Sequence, residues 1–302
     1  MPSLAPHFAR QRDRVNEELN RLLPPVGRHP ESIHEAMRYS IFVGGKRVRP
    51  LLLLETGEAF GGAPETLLQA AAAVEMVHTY SLIHDDLPAM DNDSVRRGMP
   101  TSHVKFGEAT AILAGDGLLT LAFEVLGGLP ADPSIAVRAI QILSAAIGTV
   151  DGMIAGQILD MKYEGSVLDQ AMLEQLHRAK TGALIRASVQ LGALLADADP
   201  ASLQALSRFG DKLGLVFQII DDVLDVEATS AQLGKTAGKD QGARKFTFPA
   251  LLGLSGSKRY AEQLTQQAIE ILERLPQASA RSSPLDTSRL KELCLFLVHR
   301  NN

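Results

Sequence analysis

Residues 66–83, TLLQAAAAVEMVHTYSLI, are apolar around most of a helical circumference and run without a break into His84-Asp85-Asp86-Leu87-Pro88-Ala89-Met90-Asp91. A helix with apolar residues on every face belongs inside a bundle rather than on its surface. A second stretch of the same kind, Leu213 to Ile220 (LGLVFQII), runs into Asp221-Asp222-Val223-Leu224-Asp225. Outward from these two, the chain is dominated by Ala, Leu, Glu, Gln and Arg, all good helix formers, and shows no sustained period-two alternation of Val, Ile and Thr. Joints at Leu23-Pro24-Pro25, Gly61-Gly62-Ala63-Pro64, Gly127-Gly128-Leu129-Pro130 and Asp199-Pro200 lie roughly 35 to 70 residues apart, the separation of helical pairs rather than of domains. None has the composition of a flexible linker. The expected architecture is all-α, a single-domain helical bundle over residues 1–302.

Composition narrows the function. The 302 residues carry 30 Lys+Arg against 35 Asp+Glu, a net charge of −5, which excludes a basic nucleic-acid binder on charge alone. With 45% hydrophobic residues the chain can bury a large core and is not disordered. One Cys, Cys294, forms no internal disulfide and no thiolate metal site, which fits a reducing compartment. The opening MPSLAPHFARQRDRV lacks the apolar core of a signal peptide, and charged or polar residues are expected to interrupt every long apolar run before membrane-spanning length. The expectation is a cytoplasmic protein with no membrane insertion.

Both central helices end in acid. The residue before Pro88 is steered out of the α region, so the first helix should stop near Leu87, with Asp85 and Asp86 in its last turn and Asp91 beyond. In the second, Asp221 and Asp225 are separated by about 40° around the axis and share a face. Carboxylates at a helix C-terminus meet the negative end of the dipole, at a cost of roughly 0.3–1 kcal/mol each at the surface. After a buried helix they need cations. Hard oxygen ligands with no Cys and no paired His suit Mg²⁺, which shares its coordination between carboxylates, waters and substrate phosphates. A solvated acidic helix end is the plainer alternative for either cluster alone.

A basic set complements them. Gly44-Gly45-Lys46-Arg47-Val48-Arg49-Pro50 has a natural helix stop at Gly44 and a natural helix start at Pro50, so Lys46, Arg47 and Arg49 crowd a helix N-terminus where free N–H groups attract anions. The implied ligand is a phosphate or diphosphate; the alternative is a charged surface loop. Arg96-Arg97-Gly98 follows the first acidic cluster, and Lys180-Thr181 and a lysine run from Lys235 to Lys245 come later. His78 lies close to two turns before Asp85, on roughly the same face, as a core histidine or a ligand contact. Asp116 reads as structural.

The motifs GGKRVRP, HTYSLIHDDLPAMDNDSVRRG, LAGDGLL, GQILD, KTGALI, FQIIDDVLD and GKTAGKD, in this order and spacing, resemble the trans-isoprenyl diphosphate synthases of the bacterial farnesyl diphosphate synthase type over about Ala36 to Leu252. Ser94 departs from the Asp common there, and the 235–245 run aligns loosely. The resemblance implies an isoprenoid-synthase bundle around a deep central cavity, a homodimer, and two aspartate-rich motifs facing each other across the cavity mouth. It implies three Mg²⁺ held on the allylic diphosphate by Asp85, Asp86, Asp91, Asp221 and Asp225, with Asp222 as a further catalytic acid. Arg96, Lys180 and Lys235 would contact the same diphosphate, with Lys245 also binding substrate. Gly45, Lys46, Arg49, His78 and Arg97 would hold isopentenyl diphosphate, and Gln218 with Thr181 would face the developing cation. The implied substrates are isopentenyl, dimethylallyl and geranyl diphosphates.

Tyr80 lies about 7.5 Å along the helix from Asp85. A ring there could close a pocket for the growing chain, and the resemblance implies the same: an aromatic five residues before the first aspartate, with Ser81 beside it, goes with a fifteen-carbon product. As an alternative, Tyr80 is an ordinary core aromatic with a hydrogen-bonded hydroxyl. The competing functions are a geranylgeranyl diphosphate synthase, a class I terpene cyclase, which needs no second diphosphate site, and a non-catalytic helical scaffold.

Overall fold

The computed structural model describes residues 4–227, 245–275 and 285–298. The described chain is helical almost throughout: α1 (Leu4–Leu22), α2 (Glu31–Phe42), α3 (Val48–Ala59), α4 (Pro64–Asp85), α5 (Ser102–Phe106), α6 (Glu108–Gly127), α7 (Pro133–Ile147), α8 (Met153–Lys162), α9 (Gln170–His177), α10 (Ala183–Leu195), α11 (Pro200–Glu227), α12 (Phe248–Glu273) and α13 (Ser288–Val298). A single π-helical turn, Arg178–Gly182, joins α9 to α10. Two-residue strands β1 (Val95–Arg96) and β2 (Met99–Pro100) pair antiparallel, Val95 opposite Pro100 and Arg96 opposite Met99. They are too short for alternation to reveal them in the sequence.

The chain divides into two compact units: residues up to Leu54 with Pro64–Ile140, and Glu55–Ala63 with residues from Gln141 onward. In the first, α4 buries most of its residues from Thr66 to Ile83, as its all-round apolar composition demands. Small residues of α6 pack close to it; a Cβ on Gly115 would collide with the His84 ring. α6 is the one helix among the described residues long and apolar enough to cross a membrane, which corrects the expectation that every apolar run is interrupted. Its few polar residues, among them Asp116 and Thr120, are too sparse to break its apolar character. Ala111, Ala114, Leu118 and Ala122 are buried, whereas Ile112 and Leu113 are exposed.

In the second unit Pro200 opens α11 at the first helical position, and Asp199 caps it by accepting from the Ser202 N–H at 2.9 Å and the Ser202 hydroxyl at 2.6 Å. Leu215, Val216, Ile219 and Ile220 of α11 pack with Phe248, Ala261 and Leu264 of α12 and with Leu173 and Leu176 of α9. The apolar run read from the sequence is therefore the core of this unit, and it delivers Asp221, Asp222 and Asp225 to the last two turns of α11.

Candidate active site

α4 stops at Asp85, two residues before the expected Leu87, and the chain folds back over its own end. The Asp91 N–H donates to Asp85 O at 2.8 Å and the Asp93 N–H to Asp86 O at 3.0 Å, with Asn92 in the left-handed region. Asp85 is half-buried, Asp86 buried and Asp91 exposed. Arg96 grips Asp86: its Nε lies 2.9 Å from both carboxylate oxygens and its Nη2 2.6 Å from Oδ1. Asp93 lies 3.6 Å from the same guanidinium. The β1–β2 hairpin sets this up, because its turn residues Arg97 (φ 54°) and Gly98 (φ 75°) both have positive φ, as a two-residue turn matched to strand twist requires.

Arg97 reaches across to the glycine loop and donates to Gly44 O. A Cβ on Gly45 would lie 2.7 Å from the Arg97 guanidinium carbon and would push that side chain aside, and the φ of 126° itself requires glycine there. Arg47 corrects the reading that grouped it with Lys46 and Arg49 as an anion ligand. Its backbone turns left-handed (φ 54°) and its side chain runs inward, donating to Glu75 (2.7 Å), Ile41 O (2.6 Å), Gly44 O (3.2 Å) and Asn16 (3.0 Å). It braces the loop; Lys46 is exposed and Arg49 half-buried.

His78 sits with its Nε2 3.4 Å from Arg49 Nη1. Burial, and then the charges of Arg49, Arg97, Arg96 and Arg47, hold the imidazole well below its ordinary range. The ring is therefore neutral, and the same crowd of cations that keeps it so gives this corner a positive potential suited to an anion. A cavity of about 30 Å³ beside it is lined by Tyr39, Thr79, Asp86, Arg96, Arg97 and Ser102, among others. That is room for a water or two, and the buried Thr79 and Ser102 hydroxyls have no protein partner among the described residues.

Tyr80 is buried, its ring edge-on to His84 with centroids 5.7 Å apart. Its hydroxyl has no hydrogen-bond partner among the described residues, unlike the ordinary core tyrosine weighed above. Burial, aided by Asp85, pushes it up to about 12. The Ser81 hydroxyl donates to His78 O at 2.8 Å, a bond within its own helix.

The other candidate residues gather in the second unit. Lys180 and Thr181 ride on the π-turn, which two glycines, Gly156 and Gly214, allow to be approached closely, while Gly210 does the same for α10. A Cβ on Gly156 of α8 would lie 2.7 Å from Lys180 Cβ and closer to its backbone; one on Gly214 would lie 2.5 Å from Gly182 Cα, and one on Gly210 2.8 Å from Arg186 Cα. Lys180 donates to Asp160 at 2.6 Å, and Lys245 pairs with the same carboxylate oxygen at 2.9 Å. Although burial opposes it, the two lysines hold Asp160 below the usual carboxylate range. Sequence reasoning missed Asp160; its signal was an acid one turn after a glycine in GQILD. The Thr181 hydroxyl donates to Gln218 Oε1 (2.8 Å), Gln218 Nε2 to Asp222 Oδ1 (2.9 Å), and the Phe248 N–H to Asp222 Oδ2 (3.0 Å). Asp222 and Asp225 are buried and Asp221 half-buried. Lys235 lies outside the described residues.

Among the described residues no three acids, histidines or cysteines converge into a complete metal cage. The donors present, Asp85 and Asp91 at one motif and Asp221 and Asp225 at the other, are hard oxygens that fit Mg²⁺, an ion that takes one or two carboxylates and completes its shell with waters and phosphates.

A profile of the polyprenyl synthetase family matches residues 30–281. The farnesyl diphosphate synthase of Escherichia coli is 47% identical over 292 residues, covering 95% of each chain. A heterodimeric geranylgeranyl pyrophosphate synthase large subunit of Arabidopsis thaliana is 49% identical over 261 residues, covering 84% of this chain and 70% of that one. The crystal structure of a Helicobacter pylori geranyltransferase complexed with magnesium and isoprenyl diphosphate is 36% identical, covers 98% of both chains and superposes with a TM-score of 0.86. These matches run through both units and carry the all-α isoprenoid synthase fold. The chain belongs to the polyprenyl synthetase family.

Proposed function

We propose that the chain is a farnesyl diphosphate synthase: it joins isopentenyl diphosphate head-to-tail to dimethylallyl and then to geranyl diphosphate, releasing diphosphate at each step. The observation that carries this reading is the corner formed by Arg49, His78, Arg97 and the glycine loop, an anion site built separately from the acidic turn at Asp85 to Asp91. Two diphosphates need two such sites; a terpene cyclase needs one, and a scaffold none.

In the reaction the allylic C–O bond breaks and diphosphate departs with the electron pair. The double bond of isopentenyl diphosphate then attacks the allylic carbon, and loss of a proton to the released diphosphate restores a double bond. Arg96 and Lys180 meet the departing negative charge, with Lys235 and Lys245 joining them. Preorganised cations of this kind each contribute several kcal/mol where charge develops. Gly45, Lys46, Arg49, His78 and Arg97 hold isopentenyl diphosphate, and the oxygens of Thr181 and Gln218 face the cation. Asp85, Asp86, Asp91, Asp221 and Asp225 would hold Mg²⁺, as three ions, which when bound would supply further positive charge to the leaving diphosphate.

The family match from residue 30 to 281 supports one catalytic domain. The exposed apolar residues Ile112 and Leu113 of α6 and Val137 of α7 support a homodimer. The single, buried Cys294 supports a cytoplasmic setting.

Incubation of the purified chain with isopentenyl and dimethylallyl diphosphates and Mg²⁺, followed by chromatographic sizing, tests the reading. A fifteen-carbon product is expected. A twenty-carbon product would assign a geranylgeranyl diphosphate synthase instead, the activity named for the Arabidopsis relative, and no prenyl product would overturn the proposal.

A further inference from the structure

We propose that Asp222 is a positioning residue: it decides which end of the Gln218 side-chain amide is presented to the reacting carbons. The proposal rests on the prenyltransferase reading and deepens it. Asp222 lies one turn after Gln218 on α11 and is 2% exposed. Its Oδ2 accepts from the backbone N–H of Phe248, which can only donate, and its Oδ1 accepts from Gln218 Nε2. A carboxylate has no hydrogen to give, so Gln218 must turn its NH₂ toward Asp222 and its carbonyl oxygen away. That oxygen takes the one proton of the Thr181 hydroxyl. Two oxygens with no proton left to offer, Gln218 Oε1 and Thr181 Oγ1, are thereby set side by side.

Such a pair stabilises an allylic cation, whereas the NH₂ end of the amide would repel it. His177 does not share the task, since its Nε2 lies 3.9 Å from Asp222 Oδ2, beyond hydrogen-bond reach. Phe248 N–H is the first backbone donor of α12, so the polarity of the catalytic amide is anchored to a main-chain group rather than to another adjustable side chain.

Asp222→Asn tests this with little change of shape. The asparagine oxygen must stay with Phe248 N–H, so its NH₂ faces Gln218, whose amide flips. The count of hydrogen bonds is preserved and the polarity toward Thr181 is inverted. The expected result is an unfolding temperature close to that of the unaltered protein, KM for both diphosphates within about twofold, and kcat down by about 10- to 100-fold, somewhat less than the loss of a full oxyanion-hole donor. The double variant Asp222→Asn with Gln218→Glu restores the polarity, because glutamate accepts from both Asn NH₂ and Thr181, and it should recover at least fivefold in kcat. Unchanged kcat in the single variant, no recovery in the double, or recovery of the single variant by raised Mg²⁺ would overturn the proposal. The side-chain amide proton resonances of ¹⁵N-labelled Gln218 report the flip without any turnover. A shift between the unaltered protein and Asp222→Asn is expected even if the unaltered protein makes no prenyl product, an outcome that would sink the functional reading alone; identical resonances would sink the positioning role.

Discussion

Replacing Arg47 by Met removes a guanidinium that is 2% exposed and makes four hydrogen bonds, tying α1, the end of α2, the glycine loop and α4 to one point. Glu75, 1% exposed, is left as a buried charge without its partner, which costs about 3–5 kcal/mol. Ile41 O and Gly44 O lose a donor as well, at about 1 kcal/mol each where water cannot replace it. A net loss of about 5 kcal/mol consumes much of the 5–15 kcal/mol that holds a typical domain together. Removing the acid too, in Arg47→Met with Glu75→Leu, takes away the stranded charge and should recover about 2–3 kcal/mol, since buried ion pairs are often replaceable by apolar groups of similar size. Urea unfolding at 25 °C of the two single variants and the double measures this coupling. If Arg47→Met does not fold, the loss in Glu75→Gln, expected at about 1.5–3 kcal/mol, tests the pair on its own. Because the lost bonds brace Gly44, KM for isopentenyl diphosphate should rise in every variant more than KM for the allylic substrate. A coupling below about 1 kcal/mol, or equal effects on the two KM values, would refute the bracing role.

Burial holds the His177 imidazole down to about 3. The unfolded chain takes up this proton below about pH 6.5 and the folded chain does not, so stability is present above that pH and falls by about 2 kcal/mol at pH 5 and about 5 kcal/mol below pH 3. Denaturation of the unaltered protein and of His177→Phe between pH 7 and pH 5 should show the gap changing by about 2 kcal/mol; parallel curves would exclude His177 as the source. Gly156→Ala drives a methyl into the backbone at Lys180. It should cost about 1–3 kcal/mol of stability and at least about tenfold in kcat, and normal turnover would show that the turn tolerates displacement. Tyr80→Ala opens a buried space, costs roughly 3–5 kcal/mol and should shift products toward twenty carbons or longer. A fifteen-carbon product from that variant would remove Tyr80 from control of chain length.

The two central helices were legible because burial on all faces leaves a mark that no surface helix shares, and Asp199-Pro200 marked the start of α11 in the same local way. What stayed hidden depends on long-range pairing. Asp160 finds Lys180 and Lys245 only once α8, the π-turn and the segment before α12 are packed. Nothing in Lys46-Arg47-Val48-Arg49 says which cation turns inward, since that is decided by the left-handed backbone at Arg47 and by Glu75 across the fold. The β1–β2 hairpin is shorter than any pattern can register, although Arg97-Gly98 carries its turn. The length of the apolar run in α6 is hard to see in the sequence, because its few polar residues resemble breaks although one helix holds them all.

From Gln170 to Leu195 the chain is in effect one rod with a one-residue overhang, since a π-turn is an α-helix that has accepted a single extra residue. Excising one residue between Arg178 and Gly182 would close the wide turn to an ordinary one, which sweeps nearly the same angle with one residue fewer, so α9 and α10 would keep their faces. Leu173 and Leu176 would stay in the core while Lys180 and Thr181 lost their heading. The extra residue is therefore a local edit, one that re-aims the side chains at the turn and leaves the packing on either side as it was.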